Sequence, residues 1–220
     1  MSPPRELVKR RGRRQGQPVS RDAVLRAAKR QFAKHGYDKT TLRAIADDAR
    51  VDPSMVLYLF GSKAALFRES MKLVLPSDLL TAEIAETDDD LGCRVVRAYL
   101  GLWEQPDTSA SMASMVQSAT SNRDANDAFR GFLHDYLFTA VSGALGGGDE
   151  ARLRAMLAAT NLVGTAMLRY IMRVPPLSSL GVDEVVGLIG PTVHRFLTAP
   201  AEELGLNVAS QPPRRRRNTR

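Results

Sequence analysis

The stretch from Thr40 to Lys63, TTLRAIADDARVDPSMVLYLFGSK, decides the fold. It reads as two short helices with a tight turn between them, followed by the start of a third. Thr40 stands where a cap of the first helix belongs, and Leu42, Ile45, Ala46 and Ala49 then recur at helical spacing on one apolar face. Asp52 suits the cap of the second helix and Pro53 its first position, where a missing N–H costs nothing. Val56, Leu59 and Phe60 form the inner face of that helix, Gly61 breaks it, and Ser62 suits the cap of the next. Only Arg50, Val51 and Asp52 separate the first two helices, so they must cross steeply. This is the spacing of a helix-turn-helix, whose second helix enters the major groove of DNA.

Working outward, the flanking residues carry a family resemblance. In FAKHGYDKTTLRAIADDARVDPSMVLYLFGSKAALF, Phe32 to Phe67, a Gly-aromatic turn (Gly36, Tyr37) precedes the paired Thr40 and Thr41. Ile45 and Ala46, Val51, Phe60, and Ser62 with Lys63 follow at the same family spacing. Residues 20–70 resemble the DNA-binding domain of the TetR (tetracycline-repressor-like) transcriptional regulators. A second stretch, LRYIMRVPPLSSLGVDEVVGLIGPTVHRFL, is similar to the last two helices of actinobacterial members. The resemblance implies an all-α fold, with an N-terminal three-helix helix-turn-helix domain and a C-terminal helical ligand-binding and dimerisation domain. The expected division is a disordered basic arm over 1–19, the DNA-binding domain over 20–67, the helical regulatory and dimerisation domain over 68–205, and a disordered basic tail over 206–220.

Roles within the motif follow from geometry and from the resemblance. Thr40 and Thr41 sit at a helix N-terminus, where hydroxyls and free N–H groups hold phosphate. Arg43 faces away from the apolar stripe; the resemblance implies that it reaches a base edge, and Arg reading guanine is the commonest specific contact. By the same resemblance Pro53, Ser54 and Met55 contact bases and Lys63 binds phosphate. Leu57 and Tyr58 complete the DNA-facing set.

Three positions depart from the family pattern. Arg50 takes a turn position usually held by Gly, at a cost of roughly 1–2 kcal/mol for a left-handed residue. Leu57 stands where Tyr is usual, and Tyr58 is one place on, about 100° around the helix, so it does not simply inherit the phosphate contact. Leu59 replaces a frequent His.

Charge is distributed by region. Residues 1–60 carry 14 Lys+Arg against 6 Asp+Glu, residues 61–213 carry 12 against 18, and the last seven residues carry 5 Arg. A basic module beside an acidic body suggests a polyanion at one end and a different task at the other. The hydrophobic content of 44% in 220 residues is ordinary for a soluble globular chain with one sizeable core or two small ones. Met1 to Pro18 is basic and polar, unlike a signal peptide, and the apolar run from Ala155 to Leu168 is broken by Thr160, Asn161 and Thr165. The expectation is a cytoplasmic protein without a membrane partner. The lone Cys93 permits no internal disulfide, and His35, His134 and His194 lack metal-ligand spacing. No catalytic residue, metal or cofactor is expected.

The basic arm either follows phosphates and the minor groove or is a solvated tail. Ser20 opens helix 1, whose inner face is Val24, Leu25, Ala28 and Phe32, and Gly36 ends it in the left-handed position. Helix 4 runs from Ser62 to about Leu75, with Leu66, Phe67, Met71 and Val74 buried, and the resemblance implies that its shift respaces the reading heads. Further helices are expected over 88–105, 109–120, 123–145, 149–173 (capped by Asp149) and 183–198, the last kinked by Pro191. The helix over 149–173 is apolar on more than one side, which a homodimer through the last two helices would cover. Trp103, Met112, Met115, Phe129, Phe132, Tyr136 and Met167 are candidates for the lining of a ligand cavity, since Met and aromatics line adaptable apolar pockets. The reading is a repressor that binds a palindromic operator in double-stranded DNA as a dimer and is released by a hydrophobic small molecule. The alternative is a DNA-binding architectural or dimerisation protein without an inducer, which a closed and dry cavity would favour.

Overall fold

Side-chain caps set the helix starts in the first third of the chain. In the computed structural model, which describes residues 20–85, 90–136 and 141–206, Ser20 accepts the Ala23 N–H and opens α1, Arg21–Lys39. The expected basic arm, the tail from residue 207 onward, and part of the helix expected over 123–145 lie outside the described residues. Thr41 accepts the Ala44 N–H and opens α2, Leu42–Ala49. Asp52 accepts the Ser54 N–H at 2.8 Å and opens α3, Pro53–Phe60. Ser62 accepts the Ala65 N–H and opens α4, Lys63–Met71. Arg50 adopts the left-handed conformation (φ 57°, ψ 44°), and the turn closes with a 2.9 Å bond from the Val51 N–H to the Ala46 carbonyl.

Three expectations are corrected here. Gly36 has a positive φ of 71° but an extended ψ of 177°, so it bends α1 instead of ending it in a left-handed cap. Thr40 is not the cap of α2. The bend turns carbonyls of α1 toward it, and its hydroxyl donates to the Gly36 and Gln31 carbonyls at 2.7 and 3.0 Å. Helix α4 ends at Met71 and not near Leu75. Lys72, Leu73 and Val74 donate three residues back, to Glu69, Ser70 and Met71, a tighter last turn that ends before Pro76.

The remaining helices are α5, Ser77–Ala85; α6, Leu91–Glu104; α7, Pro106–Ser121; α8, Arg123–Asp135; α9, the single turn Ser142–Ala144; α10, Gly148–Ala166; and α11, Val182–Thr198. Gly147 occupies the cap position of α10, with Asp149 inside its first turn. After Ala166 the coil widens to a π-helical turn, Met167–Ile171, in which the Met172 N–H reaches the Met167 carbonyl. A short 3-10 turn, Leu177–Ser179, leads into α11, which contains Pro191. Among the described residues the fold is all-α, without a strand.

Two contacts organise the packing. Helix α1 lies along α7, and there the Ser114 hydroxyl donates to the Phe32 carbonyl at 2.6 Å while Ser118 Oγ accepts the Tyr37 N–H at 3.0 Å. Helices α6 and α11 meet backbone to backbone: a Cβ on Gly92 would lie 2.1 Å from the Gly190 carbonyl oxygen, and one on Gly190 would lie 2.4 Å from Cys93 Sγ. Only glycine fits so close a crossing. No helix of the described residues is long and apolar enough to cross a membrane.

Candidate nucleic-acid interface and ligand cavity

The first four helices close around an aromatic cluster. Phe32, Tyr37 and Phe67 lie with ring centroids 4.8 to 5.9 Å apart, stacked or edge to face. Val24, Ile45, Val56 and Leu66 fill the space around them and are fully buried. With the inner face of α3 so occupied, its other face is left to solvent. Pro53 and Ser54 are exposed, Met55 is half-buried, Leu57 is 48% exposed and Tyr58 is 82% exposed. Arg43 projects from the first turn of α2 and is exposed, as is Thr41 beside it. Sequence reasoning therefore picks out one outward surface from the starts of α2 and α3.

Two predicted residues behave differently. Thr40 is 1% exposed and its hydroxyl is committed to carbonyls of α1, so it positions the start of α2 and does not present a donor outward. Lys63 is half-buried. Its ammonium sits 4.3 Å above the Tyr37 ring and donates to the Asp38 carbonyl at 3.4 Å. Burial lowers its pKa, and the Asp38 and Asp124 carboxylates act in the opposite direction. The N-cap Asp52 is held below the usual carboxylate range by hydrogen bonds from the Ser54 hydroxyl and N–H, which keeps the cap ionised.

Behind this head lies an apolar cavity of about 70 Å³. Met71, at the end of α4, and Val74 and Leu75 just after it form one wall. Tyr99 and Trp103 come from α6, and Met112, Met115 and Val116 from α7. Phe129, Phe132 and Leu133 of α8, Val163 of α10, and Met167 and Ile171 of the π-helical turn close the remainder. Six of the seven residues predicted from sequence are thus brought together. Tyr136 is the exception: it is buried, stacks on Phe132, and spends its hydroxyl on the Pro76 carbonyl at 3.3 Å, behind the lining. Tyr99 is missed by the sequence reading although it stands one turn before Trp103 on the same helix. Met71, Val74 and Leu75 belong there only because α4 packs on α8, which no local pattern announces.

The cavity wall is ordered from behind. Trp103 stacks on Tyr170 at 5.3 Å, nearly parallel, and the Tyr170 hydroxyl donates to Glu104 at 2.6 Å. The guanidinium of Arg169 donates to the Leu177 and Leu180 carbonyls, tying the end of the π-helical turn to the connection into α11. Among the described residues no group of His, Cys, Asp and Glu forms a metal site. Cys93 is partly buried against α11.

Residues 24–70 match the family model described as bacterial regulatory proteins, tetR family, and residues 89–197 match that of the tetracyclin repressor-like C-terminal domain. A TetR-family regulator from Streptomyces coelicolor is 37% identical over 84% of this chain and 98% of its own, with a TM-score of 0.61. FadR, a fatty acid degradation regulator from Bacillus halodurans, is 18% identical over 82% of this chain and 100% of its own, with a TM-score of 0.57. NalD, the secondary repressor of the MexAB-OprM multidrug efflux pump in Pseudomonas aeruginosa, is 22% identical over 79% of this chain and 95% of its own, with a TM-score of 0.53. The last two share the fold. No curated protein matches the chain. An exposed helix-turn-helix surface at the front, an apolar cavity behind it, and these matches over both parts lead to one conclusion: the chain belongs to the TetR family of transcriptional regulators.

Proposed function

We propose that this regulator is a homodimeric repressor that works in the cytoplasm, binds a palindromic operator, and is released by a hydrophobic small molecule held in the cavity. The observation that carries this reading is the span of α4. Its first residue, Lys63, stands beside the reading helix, and its last, Met71, is part of the cavity wall. A ligand that displaces Met71, Val74 and Leu75 acts directly on the helix that seats the head. The expected domain boundary at 67/68 falls inside α4, and we place the division there: Phe67 packs in the aromatic cluster and Met71 faces the cavity.

Dimerisation is supported by the apolar surface of the last third. Leu153, Met156 and Val163 of α10 are exposed at helical spacing, and Leu188 of α11 is 67% exposed. Burying this face against its counterpart in a second copy would yield a four-helix bundle. Two α3 helices would then address half-sites about one turn apart, roughly 34–36 Å. In this arrangement Arg43, Pro53, Ser54, Met55, Leu57 and Tyr58 face the groove, and Thr41 and Lys63 face phosphate. The cavity is small, so an effector must push side chains aside, and methionines permit this at low cost. An effector releases DNA only if it binds the DNA-incompetent form more tightly.

Footprinting on the DNA upstream of the regulator's own gene, with and without apolar compounds, tests the reading. A protected palindrome that is lost on adding a compound supports it. Sedimentation that finds single chains both free and on DNA overturns it.

A further inference from the structure

The cavity lining includes one buried polar group that the fold itself leaves unmatched. Trp103 is 4% exposed, and its indole N–H finds no hydrogen-bond partner. An indole nitrogen only donates, so an acceptor is what would satisfy it. Tyr99 stands one turn earlier on α6 and also lines the cavity. Burial pushes the Tyr99 hydroxyl up to about 12, so it stays protonated at working pH. The Trp103 indole partly offsets that rise, but the pair falls outside hydrogen-bond geometry. Stacking on Tyr170 holds the indole plane, so the direction of its N–H is set in advance. Apart from the weakly accepting thioethers of Met71, Met112, Met115 and Met167, the other lining side chains are hydrocarbon and uncharged.

We infer that the effector is an uncharged molecule with an apolar body and one hydrogen-bond acceptor, an oxygen received by Trp103 Nε1 and the Tyr99 hydroxyl. A charged ligand would lie uncompensated among apolar side chains. A pure hydrocarbon would leave the indole donor unmatched. The inference rests on the reading of this cavity as the effector site and adds to it the chemical class of the effector.

The test uses the full-length protein and a matched pair of probes, propiophenone and propylbenzene, which differ in a carbonyl against a methylene. Trp103 is the sole tryptophan, so its fluorescence reports binding at the site directly. Burying a ketone without a donor is unfavourable, so a plain apolar pocket would prefer the hydrocarbon. The donor pair should reverse that order, with the ketone binding about tenfold tighter. Tyr99→Phe should reduce the preference. Trp103→Phe, followed by calorimetry, should abolish the preference. Equal affinities, or tighter binding of propylbenzene, would overturn the acceptor proposal and leave the cavity reading in place. Binding of neither probe would overturn both.

Discussion

The head and the body of this regulator are built to different tolerances. In the head, side-chain hydroxyls and carboxylates close the helix starts, from Ser20 and Thr41 to Asp52 and Ser62, and Thr40 adds two inward hydrogen bonds. Its core is three aromatic rings locked by β-branched and leucine side chains. In the body, four of the eight methionines of the chain (Met71, Met112, Met115 and Met167) surround a void, and a buried indole N–H is unmatched. A surface that reads DNA must keep its shape, whereas a chamber that senses a molecule must yield to it. Helix α4 belongs to both, and the Ser114 and Ser118 bonds between α7 and α1 join them a second time.

This contrast can be broken most severely at the close α6–α11 crossing of the body. Gly92→Ala places a Cβ 2.1 Å from a carbonyl oxygen and 2.5 Å from the His194 backbone nitrogen, neither of which can swing away. Urea denaturation should show a loss of about 3 kcal/mol. An unchanged midpoint would mean that the α6–α11 crossing yields as easily as the cavity. Next in size, Arg43→Ala should lower operator affinity by about 2 kcal/mol per half-site and leave unfolding unchanged. Titration against operator and random DNA checks this, and equal discrimination would remove Arg43 from the base-reading set.

Thr40→Val should cost about 1.5 kcal/mol of stability, because two carbonyls lose a buried donor, while the folded fraction still binds DNA. Weaker DNA binding with stability intact would return Thr40 to the phosphate set. Lys63→Ala should weaken all DNA alike by about 1 kcal/mol and flatten the salt dependence by about one unit of slope; a slope that does not move sets Lys63 apart from phosphate. Smallest is Asp48→Asn. The Arg30 hydrogen bonds hold the Asp48 carboxyl below its usual range, so its contribution is present above the unfolded-state pKa and disappears as pH falls through the folded-state value. Arg30 is 57% exposed and Asp48 25%, so solvent screens the pair and the expected loss is about 0.5 kcal/mol at neutral pH, shrinking toward zero as pH falls below the folded-state value. A loss that persists in acid would assign it to packing.

Much of this was legible in the sequence because the signals are local. The cap–Pro–apolar order at Asp52, Pro53 and Val56 specifies a helix start whatever surrounds it. The Met and aromatic residues of α6, α7 and α8 pointed to a cavity because such side chains line adaptable apolar pockets. Tyr136 has the same chemistry, and only its hydrogen bond to Pro76 shows that it packs behind the lining. Thr40 and Thr41 are identical side chains one residue apart, so sequence could not tell which one caps.

The chain by itself determined the starts of α1, α3 and α4, the outward face of α3 and the adaptable character of the cavity, because each depends on residues within a turn or two of one another. Tertiary structure alone decided that Thr40 turns inward, that α4 ends early yet reaches the cavity, and that Gly92 and Gly190 let two distant helices touch. Those outcomes depend on which backbone groups are freed or approached by elements far apart in sequence, and no spacing along the chain encodes that distance.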